Sequence, residues 1–298
     1  MRWDTYAFSN PDWRGRRNVS AKEITTFRAG GVISSYFSPI HREALISLIS
    51  YFADLGIPFR LLGQGSNVLV RDEGLVDPVI CTRGCSHIEI IGQTVTVDCG
   101  VSLPRLILYA ANLSLGGIEA LFGIPATIGG AIYMNAGAYG MEIGDRITSI
   151  CVYDPTSTPC ITHLSPVDAQ FSYRSSVFQH KELYILEAKL SLDVRRKEAI
   201  LADIKQIMEQ RREKQPLKYP SAGSTFRRPF GNYAARLIDQ SGCKGLRIGD
   251  AEVSTKHGGF IINRGSATAS DILRLIEQVR ERVYNCSGIL LEKEIEIW

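Results

Sequence analysis

Hydrophobic residues in the first part of the chain recur at spacings typical of helices and short strands. In residues 41–55 the apolar positions Leu45, Leu48, Ile49 and Phe52 follow a helical period that ends at Gly56, so we predict a helix there. Residues 103–115 predict a second helix in the same way. Runs rich in apolar and β-branched residues predict strands at 59–62, 67–70, 78–82 and 88–98.

The second part of the chain continues this mixture after a stretch of small residues at 116–144. Residues 197–214 predict a long charged helix that carries Ile200, Ile204 and Ile207 on one face and ends before Pro216. Because strands and helices cluster rather than alternate, the predicted fold class is α+β and not a doubly wound sheet. Strands are predicted within 147–192 and at 259–263 and 294–298, and helices at 233–240 and 270–284.

The composition is that of an ordinary globular protein. With 298 residues, the chain is long enough for about two domains. The formal net charge of +3 is too small to indicate a nucleic-acid partner, although a local anion site stays open. Residues 1–20 form a polar extension without the apolar core of a secretory signal, and no run approaches the ~20 apolar residues of a membrane span. We therefore expect no membrane partner and a cytoplasmic location.

The seven cysteines are irregularly spaced, which favours reduced thiols over a disulfide framework. Cys81, Cys85 and Cys99 are close in sequence. No Cys-x-x-Cys pair or partnering histidine accompanies them, so no metal site is predicted.

Two glycine-rich segments carry the first chemical signal. In the first, glycines let successive backbone N–H groups turn toward an anion, and the hydroxyl and amide side chains add donors. The dinucleotide fingerprint is not met, because Val68 stands at the third glycine position and no helix follows. Phosphate binding and a plain tight turn both stay open. The segment is Gly63, Gln64, Gly65, Ser66, Asn67, Val68 and Leu69.

The second glycine-rich segment spans residues 123–140. Its apolar residues Ile124, Ile128 and Ile132 distinguish it from a flexible linker. Such a sequence suits a backbone that lies against a flat or extended ligand. Tight packing of backbone on backbone is the alternative.

A series of motifs in order makes the chain resemble the UDP-N-acetylenolpyruvoylglucosamine reductases, also called UDP-N-acetylmuramate dehydrogenases, from about Asn18 onward. The chain resembles the shorter class of this family, which lacks an inserted segment that caps the substrate. One departure is Ala126, where the family often has glycine. The motifs are TTFRAGG at 25–31, GQGSNVLV at 63–70, the segment 123–140, YRSS at 173–176, PSAGSTFRRP at 220–229, VSTKHGGFIIN at 253–263 and LEKEI at 291–295.

The resemblance implies a two-part, PCMH-type FAD-binding region followed by a smaller α+β substrate-binding domain. The FAD-binding region covers residues 21–214, in subdomains of about 21–84 and 85–214, after the extension at 1–20. The substrate-binding domain covers 215–298, and its C-terminal strand returns Glu294 to the active site. The oligomeric state stays open, with a monomer as one option.

The resemblance also implies the reaction, which is reduction of UDP-N-acetylglucosamine enolpyruvate to UDP-N-acetylmuramate in peptidoglycan precursor synthesis. FAD is the expected cofactor, NADPH the expected reductant and a UDP-sugar the expected partner. Hydride goes to the terminal carbon of the enol ether, and the carbon beside the carboxylate must then be protonated.

Three residues match catalytic positions of the family. Ser224 matches the proton donor, Arg174 matches the residue that holds the substrate carboxylate, and Glu294 matches the acidic partner of the enol intermediate. A planar, permanently charged guanidinium suits the binding of a carboxylate. From local pattern alone, Ser224 is a turn residue and Arg174 a surface arginine. Likewise, Glu294 belongs to a solvated acidic strand edge with Glu292 and Glu296.

The remaining expected contacts fall into two groups. For His257 a structural role is the alternative, in which its ring nitrogens are hydrogen-bonded within the protein. The expected substrate-binding residues are Tyr173, Arg227, Arg228, Tyr233, Lys256 and His257. The expected FAD-binding residues are Arg28, Gly63, Gln64, Gly65, Ser66, Asn67, Val68, Leu69, Gly123, Ile124, Pro125, Ala126, Thr127, Gly129, Gly130, Ala131, Asn135, Gly137, Ala138 and Tyr139.

Two other classes of protein compete with this hypothesis. A flavin oxidase that uses oxygen and an alcohol would account for the glycine-rich segments, but not for the motifs of Arg174, Ser224 and Glu294 together. A non-catalytic flavin- or nucleotide-binding module would tolerate loss of these three residues, yet all three positions are filled.

Overall fold

The computed structural model describes residues 3–298, which contain eight α-helices, nineteen short strands and four 3-10 turns. The helices are α1 (Trp3–Ser9), α2 (Ala21–Ile24), α3 (Arg42–Asp54), α4 (Leu103–Asn112), α5 (Ile128–Tyr133), α6 (Lys197–Lys214), α7 (Ala234–Gln240) and α8 (Ala269–Ser287). The strands are β1 (Arg16–Ser20), β2 (Val32–Phe37), β3 (Arg60–Leu62), β4 (Val68–Leu69), β5 (Val79–Cys81), β6 (Ile88–Ile91), β7 (Thr94–Asp98), β8 (Leu115–Gly116), β9 (Gly137–Ala138), β10 (Met141–Glu142), β11 (Ile147–Tyr153), β12 (Ile161–Leu164), β13 (Tyr184–Ser191), β14 (Asp193–Val194), β15 (Ser221–Ser224), β16 (Arg247–Ile248), β17 (Ala251–Val253), β18 (Phe260–Asn263) and β19 (Glu296–Ile297). No helix of the described chain is both long and apolar enough to cross a bilayer.

The described chain divides into two compact units, each assembled from separate segments. The first unit contains the described residues up to Arg17, together with Ser35–Gln64 and Asp77–Glu209. The second contains Asn18–Ser34, Gly65–Val76 and Gln210–Trp298. The first glycine-rich segment therefore has Gly63 and Gln64 in the first unit and its remaining residues in the second. The contiguous boundaries predicted near residues 20, 84 and 214 stay a prediction.

An antiparallel five-stranded sheet forms the centre of the first unit, with the strand order β12-β11-β13-β7-β6. Ala188 of β13 pairs with Ile150 of β11 on one side and with Val97 of β7 on the other. A second group of strands, β2, β5 and β3, is parallel, with Tyr36 opposite Val79. This mixture of separate helices and largely antiparallel sheets confirms the predicted α+β class.

The strand predicted over residues 88–98 is two strands, β6 and β7. They form an antiparallel hairpin in which Ile91 pairs with Thr94 across the two-residue turn Gly92-Gln93. Gly92 has a φ of 59°, and glycine at the first central position is typical of such hairpin turns. The prediction of one strand was wrong because apolar residues resume at Val95, soon after the turn that Gly92 marks, so the two strands read as one run.

The long helices lie where the sequence predicts them. The α3 helix begins after His41, whose Nδ1 accepts a hydrogen bond from the backbone N of Ala44 at 3.1 Å. The predicted helix at 197–214 is confirmed as α6, and its Ile200 and Ile204 are buried in the core of the first unit. Apolar periodicity is sufficient to locate these two helices.

The N-terminal segment is more than a polar extension, because it packs into the first unit. Ala7 and Trp13 are buried in that core. The Nε1 of Trp13 donates to Oγ of Ser47 at 3.0 Å, and the Trp13 ring lies 5.2 Å from that of Tyr51. These contacts fix residues 7–13 against α3.

The second unit combines a four-stranded antiparallel sheet with the order β15-β18-β17-β16 and the helices α7 and α8. Leu237 of α7 and Ile276 and Val279 of α8 are buried in its core. The last strand, β19, pairs in parallel with β4, so that Glu296 lies opposite Val68. The C-terminus is therefore paired with the strand that ends the first glycine-rich segment.

The start of α8 is held by two carboxylates of the second unit. Thr268 and Asp271 form a capping box, in which Oγ1 of Thr268 accepts from N of Asp271 at 3.0 Å. Asp72 adds a second cap, because its carboxylate accepts from the backbone N of Ala269 and of Ser270, both at 2.8 Å. Partial burial raises the pKa of Asp72, but the hydrogen bonds from Ser270 and Ala269 outweigh it, so the pKa is lowered overall.

We predict that Asp72→Ala destabilises the protein by about 1 kcal/mol at neutral pH, since it removes a cap from exposed backbone groups. Because the folded-state pKa of Asp72 is lowered, its contribution is present above its unfolded pKa and is lost as the pH falls through the folded pKa. Urea unfolding at pH 7 and at low pH measures this difference. Asp12→Ala, at an exposed aspartate, is the control, and an equal loss of stability in both variants would contradict the assignment.

Candidate active site

The first glycine-rich segment contacts the protein's own backbone in the second unit. Gly65 has a φ of 65°, and a Cβ built there would lie 2.3 Å from the carbonyl O of Ile24. The carbonyl O of Gly65 also accepts from the backbone N of Thr26 at 3.0 Å. Glycine is thus required at this position by the fold itself, whether or not a ligand is present.

The same segment has donors that the fold does not use. Within residues 3–298, the backbone N–H groups of Gln64, Gly65 and Ser66 donate no hydrogen bond. The side chains of Gln64 and Ser66 are half-buried and also have no hydrogen-bond partner in this part of the chain. Successive N–H groups without an internal acceptor, beside a hydroxyl, are the kind of donors that bind an anion in phosphate-binding turns.

Arg28 occupies a strained loop position in the second unit. It has a φ of 52°, which is uncommon for a residue other than glycine, and its side chain is exposed. Nδ2 of Asn263 donates to the carbonyl O of Phe27 and of Arg28, both at 3.2 Å. A buried amide therefore holds this loop in its strained conformation.

Ser224 ends β15 at an irregular position of the sheet. It lies opposite Phe260, the pairing shifts register between Ser221 and Ser224, and Gly223 has a φ of 73°. The Ser224 hydroxyl is half-buried and makes no hydrogen bond within residues 3–298. Ser224 is therefore more than a turn residue, because β15 holds a hydroxyl group that makes no hydrogen bond in the described chain.

Glu294 lies next to Ser224 and to the first glycine-rich segment. Its backbone N donates to the carbonyl O of Thr225 at 2.8 Å, and its carbonyl O accepts from Nδ2 of Asn67 at 3.1 Å. Three residues predicted from separate motifs, Asn67, Ser224 and Glu294, are thereby brought together in the second unit.

The predicted strand at 294–298 is shorter in the structure. Only Glu296–Ile297 is a strand, and the chain bends at the buried residue Ile295. Glu292, Glu294 and Glu296 therefore do not share one regular strand face, and the alternative of a solvated acidic edge was wrong. Glu294 is instead half-buried, with both of its backbone polar groups hydrogen-bonded.

His257 follows β17 in the second unit. Its Nδ1 accepts from the backbone N of Gly259 at 3.2 Å, and its ring packs edge-on against Phe260 with 4.9 Å between centroids. Burial lowers the pKa of His257, with a further contribution from the positive charge of Lys244. A neutral imidazole with an accepting Nδ1 carries its proton on Nε2, which makes His257 a hydrogen-bond donor at neutral pH. Beside it, Nζ of Lys256 donates to the carbonyl O of Arg212.

The loop that follows Ser224 carries cations and exposed aromatic rings. The Arg227 guanidinium is half-buried and has no ion-pair or hydrogen-bond partner in the described chain, and the backbone N of Arg227 donates to the carbonyl O of Glu292 at 2.9 Å. The guanidinium of Arg228 lies 4.6 Å from the ring centroid of Tyr233. Phe230, which stands between Arg228 and Tyr233 in the sequence, is fully exposed. Sequence reasoning missed Phe230, although an aromatic residue between Pro229 and Gly231 was a signal for an exposed loop tip.

In the first unit, the segment 123–140 is packed tightly on its neighbours. Thr127 caps α5, its Oγ1 accepting from the backbone N of Gly130 at 3.3 Å. A Cβ on Gly63 would lie 2.3 Å from that Oγ1, and a Cβ on Gly129 would lie 3.0 Å from Cβ of Cys99. A Cβ on Gly130 would approach nothing closer than 3.4 Å. Packing within the protein explains Gly63 and Gly129 but not Gly130.

Asn135 connects this segment to the turn of the YRSS motif. Asn135 is buried with a φ of 41°, and its Nδ2 donates to Oε2 of Glu142 at 2.5 Å and to the carbonyl O of Ser172 at 3.0 Å. Its Oδ1 accepts from the backbone N of Gly144 at 3.1 Å. The side-chain amide is thus occupied by the protein, and the backbone N of Asn135 donates to the carbonyl O of Ile132 at 3.0 Å, which leaves its carbonyl O as the group able to contact a ligand.

Arg174 lies in the turn that Asn135 supports. It has a φ of 53°, and its Nη2 donates to the carbonyl O of Gly137 at 2.8 Å. Its guanidinium lies 5.1 Å from the ring centroid of the exposed Tyr173. Strained backbone at a non-glycine residue is typical of functional positions. The alternative of an ordinary surface arginine does not explain this conformation.

The other expected FAD contacts differ in what they expose. Ala131 and Leu69 are fully buried and Val68 nearly so, so only their backbones can face a ligand. Tyr139 is half exposed with a φ of 52°, and Gly123 has a φ of 86°. Five further expected contacts lie in the same segment of the first unit as Gly123, Ala131 and Tyr139. They are Ile124, Pro125, Ala126, Gly137 and Ala138.

These features define a class of protein in which glycine-rich turns offer backbone donors to a dinucleotide cofactor. Residues 33–161 match the FAD binding domain family model, and residues 215–298 match the model of the UDP-N-acetylenolpyruvoylglucosamine reductase C-terminal domain. The predicted PCMH-type FAD-binding fold with a second α+β domain is confirmed by these matches.

Comparison with whole proteins gives the family. The UDP-N-acetylenolpyruvoylglucosamine reductase of Caldanaerobacter subterraneus subsp. tengcongensis is 42% identical over 94% of this chain and 92% of its own length. That of Thermotoga maritima is 42% identical over 92% of this chain and 95% of its own. The crystal structure of the Thermus caldophilus enzyme superimposes with a TM-score of 0.82 at 37% identity, covering 96% of this chain and 99% of that one. The chain belongs to the UDP-N-acetylenolpyruvoylglucosamine reductase family.

We predict that Gly65→Ala destabilises the protein by more than Gly140→Ala. Both glycines have positive φ, so both substitutions incur backbone strain of about 1 kcal/mol. Only at position 65 does the new methyl group also collide with backbone, since Gly140 has nothing within 4 Å. Thermal unfolding of the two flavin-free variants measures the difference. Equal melting temperatures would show that the close approach to Ile24 is unimportant.

Proposed function

We propose that this protein reduces UDP-N-acetylglucosamine enolpyruvate to UDP-N-acetylmuramate, with NADPH as the reductant and FAD as the bound cofactor. The observation that carries the proposal is the 42% identity to a reductase of this name over 94% of the chain. The protein is a flavin-dependent oxidoreductase of peptidoglycan precursor synthesis. We further propose that it acts in the cytoplasm, with the contiguous domains at 21–214 and 215–298.

The residues present fit FAD. The unused N–H groups of Gln64, Gly65 and Ser66 suit a diphosphate, and Gly130 leaves room that the protein does not fill. FAD bound there would supply the transfer of hydride from NADPH to the enol ether carbon. The other expected FAD-binding residues would hold it through their backbones, together with the exposed side chains of Arg28 and Tyr139.

Ser224 donates the proton in this proposal. Its hydroxyl makes no hydrogen bond within residues 3–298, so it is available to the carbon beside the substrate carboxylate. An unperturbed hydroxyl is a weak acid, and the charge that develops on the substrate must therefore be stabilised by neighbouring groups. Glu294, fastened beside Ser224 through Thr225, is the acidic group assigned to the enol form.

Arg174 holds the substrate carboxylate. A guanidinium binds two carboxylate oxygens at once and stays charged. The Nη2 of Arg174 donates a hydrogen bond to the carbonyl O of Gly137, which orients the guanidinium. Tyr173 packs beside it and limits its movement.

The UDP part of the substrate is assigned to the loop after Ser224. Arg227 and Arg228 supply positive charge for the diphosphate, and Tyr233 supplies a ring for the sugar or uracil. Lys256 is assigned to the diphosphate, and His257 is assigned to donate a hydrogen bond from Nε2.

Anaerobic NADPH consumption by the purified protein, with and without the enolpyruvyl sugar, tests the whole proposal. Consumption that requires the sugar, with a product two hydrogens heavier, supports it, and consumption that ignores the sugar refutes it.

We predict that Ser224→Ala retains FAD and NADPH-driven flavin reduction but turns over the sugar about 10²–10⁴-fold more slowly, because it lacks the proton donor. Rapid mixing of the reduced variant with the sugar measures the affected step. Ser221→Ala, on the same strand, is the control with wild-type rates. Reoxidation of the Ser224→Ala flavin at the wild-type rate would remove Ser224 from the mechanism.

Gly130→Ala separates cofactor binding from folding. Since a Cβ at this position is tolerated by the protein, the variant should fold with a near-wild-type melting temperature in its flavin-free form. We expect little bound flavin, because the side chain occupies space assigned to FAD. Absorbance at the flavin band and circular dichroism give the two readings, and full flavin content would contradict the assignment.

A further inference from the structure

One asparagine of the first glycine-rich segment is hydrogen-bonded to the chain on both sides of Ile295. Nδ2 of Asn67 donates to the carbonyl O of Glu294 at 3.1 Å. The carbonyl O of Asn67 accepts from the backbone N of Glu296 at 2.8 Å. The two bonds flank Ile295, the residue at which the chain bends.

The two bonds differ in what they require of residue 67. The bond to Glu296 uses a backbone carbonyl, which any residue supplies. The bond to Glu294 uses a side-chain amide, which aspartate, serine and alanine lack. The identity of the residue at position 67 therefore bears on Glu294 and not on the pairing of β19 with β4.

The remaining backbone group of Glu294 is fixed on the side of Ser224. Its N donates to the carbonyl O of Thr225 at 2.8 Å, and Thr225 is buried beside β18, with its Oγ1 accepting from the backbone N of Ile261 at 3.3 Å. Without the amide of Asn67, the Glu294 carbonyl loses the hydrogen bond that lies opposite its backbone bond to Thr225.

We infer that Asn67 is a positioning residue that acts through Glu294 during reduction of the substrate, in addition to any contact that it makes with FAD. The inference rests on the proposed role of Glu294. Displacement of a catalytic group by about 1 Å costs on the order of 10²-fold in rate. We therefore expect Asn67→Ala to slow the sugar-dependent step about ten- to hundredfold per bound flavin. Flavin content and flavin reduction by NADPH are measured on the same variant, so that any loss of a contact with FAD is separated from this effect.

A double-mutant cycle with Glu294→Gln distinguishes positioning from a general structural effect. If Asn67 acts through Glu294, its substitution has nothing further to remove once the carboxylate is gone. The double variant should then reoxidise its flavin within twofold of Glu294→Gln alone. Asn263→Ser is the matched control, because its amide holds the Phe27 and Arg28 carbonyls in the same unit and does not touch Glu294. Its effect should multiply with that of Glu294→Gln.

Rapid mixing of each reduced variant with the enolpyruvyl sugar gives the rates, and Asn67→Ser replaces Asn67→Ala if the latter does not fold. A double variant slower by the product of the two single effects overturns the inference while leaving the proposed function intact. A wild-type protein whose reduced flavin ignores the sugar overturns both. A sugar step unchanged in Asn67→Ala also overturns the inference.

Discussion

The position of Glu294 depends on hydrogen bonds between three distant stretches of sequence. The bonds from Asn67 to the Glu294 carbonyl and from the Glu294 amide to Thr225 bring residues 67, 225 and 294 into one arrangement. None of the three stretches forms a long element of secondary structure, since β4 and β19 have two residues each and β15 has four. Short strands are weak by themselves, so the arrangement relies on the core of the second unit beneath them.

Glycine has two different uses in this chain. Glycine is required at position 65 because a Cβ there would lie 2.3 Å from the carbonyl O of Ile24, and at position 63 because a Cβ would lie 2.3 Å from Oγ1 of Thr127. In the described chain, the backbone N–H groups of Gln64, Gly65 and Ser66 have no internal acceptor. Gly130 has no such packing reason. A ligand that approaches the backbone is the simplest physical cause of a glycine with room around it.

The sequence predicted the long helices well, because periodicity over ten or more residues is specific, as in α3 and α6. The hairpin of β6 and β7 was missed because apolar residues resume within a few positions of its turn. The motifs identified Ser224 and Glu294 through the family resemblance, whereas local pattern favoured a turn residue and an acidic edge. No pattern indicated that the side chain of Asn135 is used within the protein, that Asn67 holds Glu294, or that the N-terminal segment packs on α3. These features arise from tertiary contacts between residues far apart in sequence.

In the proposed reaction, hydride from the reduced cofactor goes to an enolpyruvyl sugar and not to oxygen or an alcohol. Anaerobic mixing of the reduced wild-type protein with UDP-N-acetylglucosamine enolpyruvate tests this directly, with UDP-N-acetylglucosamine as the comparison compound that lacks the double bond. We expect the enolpyruvyl sugar to restore the oxidised flavin spectrum in a single turnover and the comparison compound to leave the flavin reduced. A flavin that stays reduced with both compounds would refute the proposed reaction.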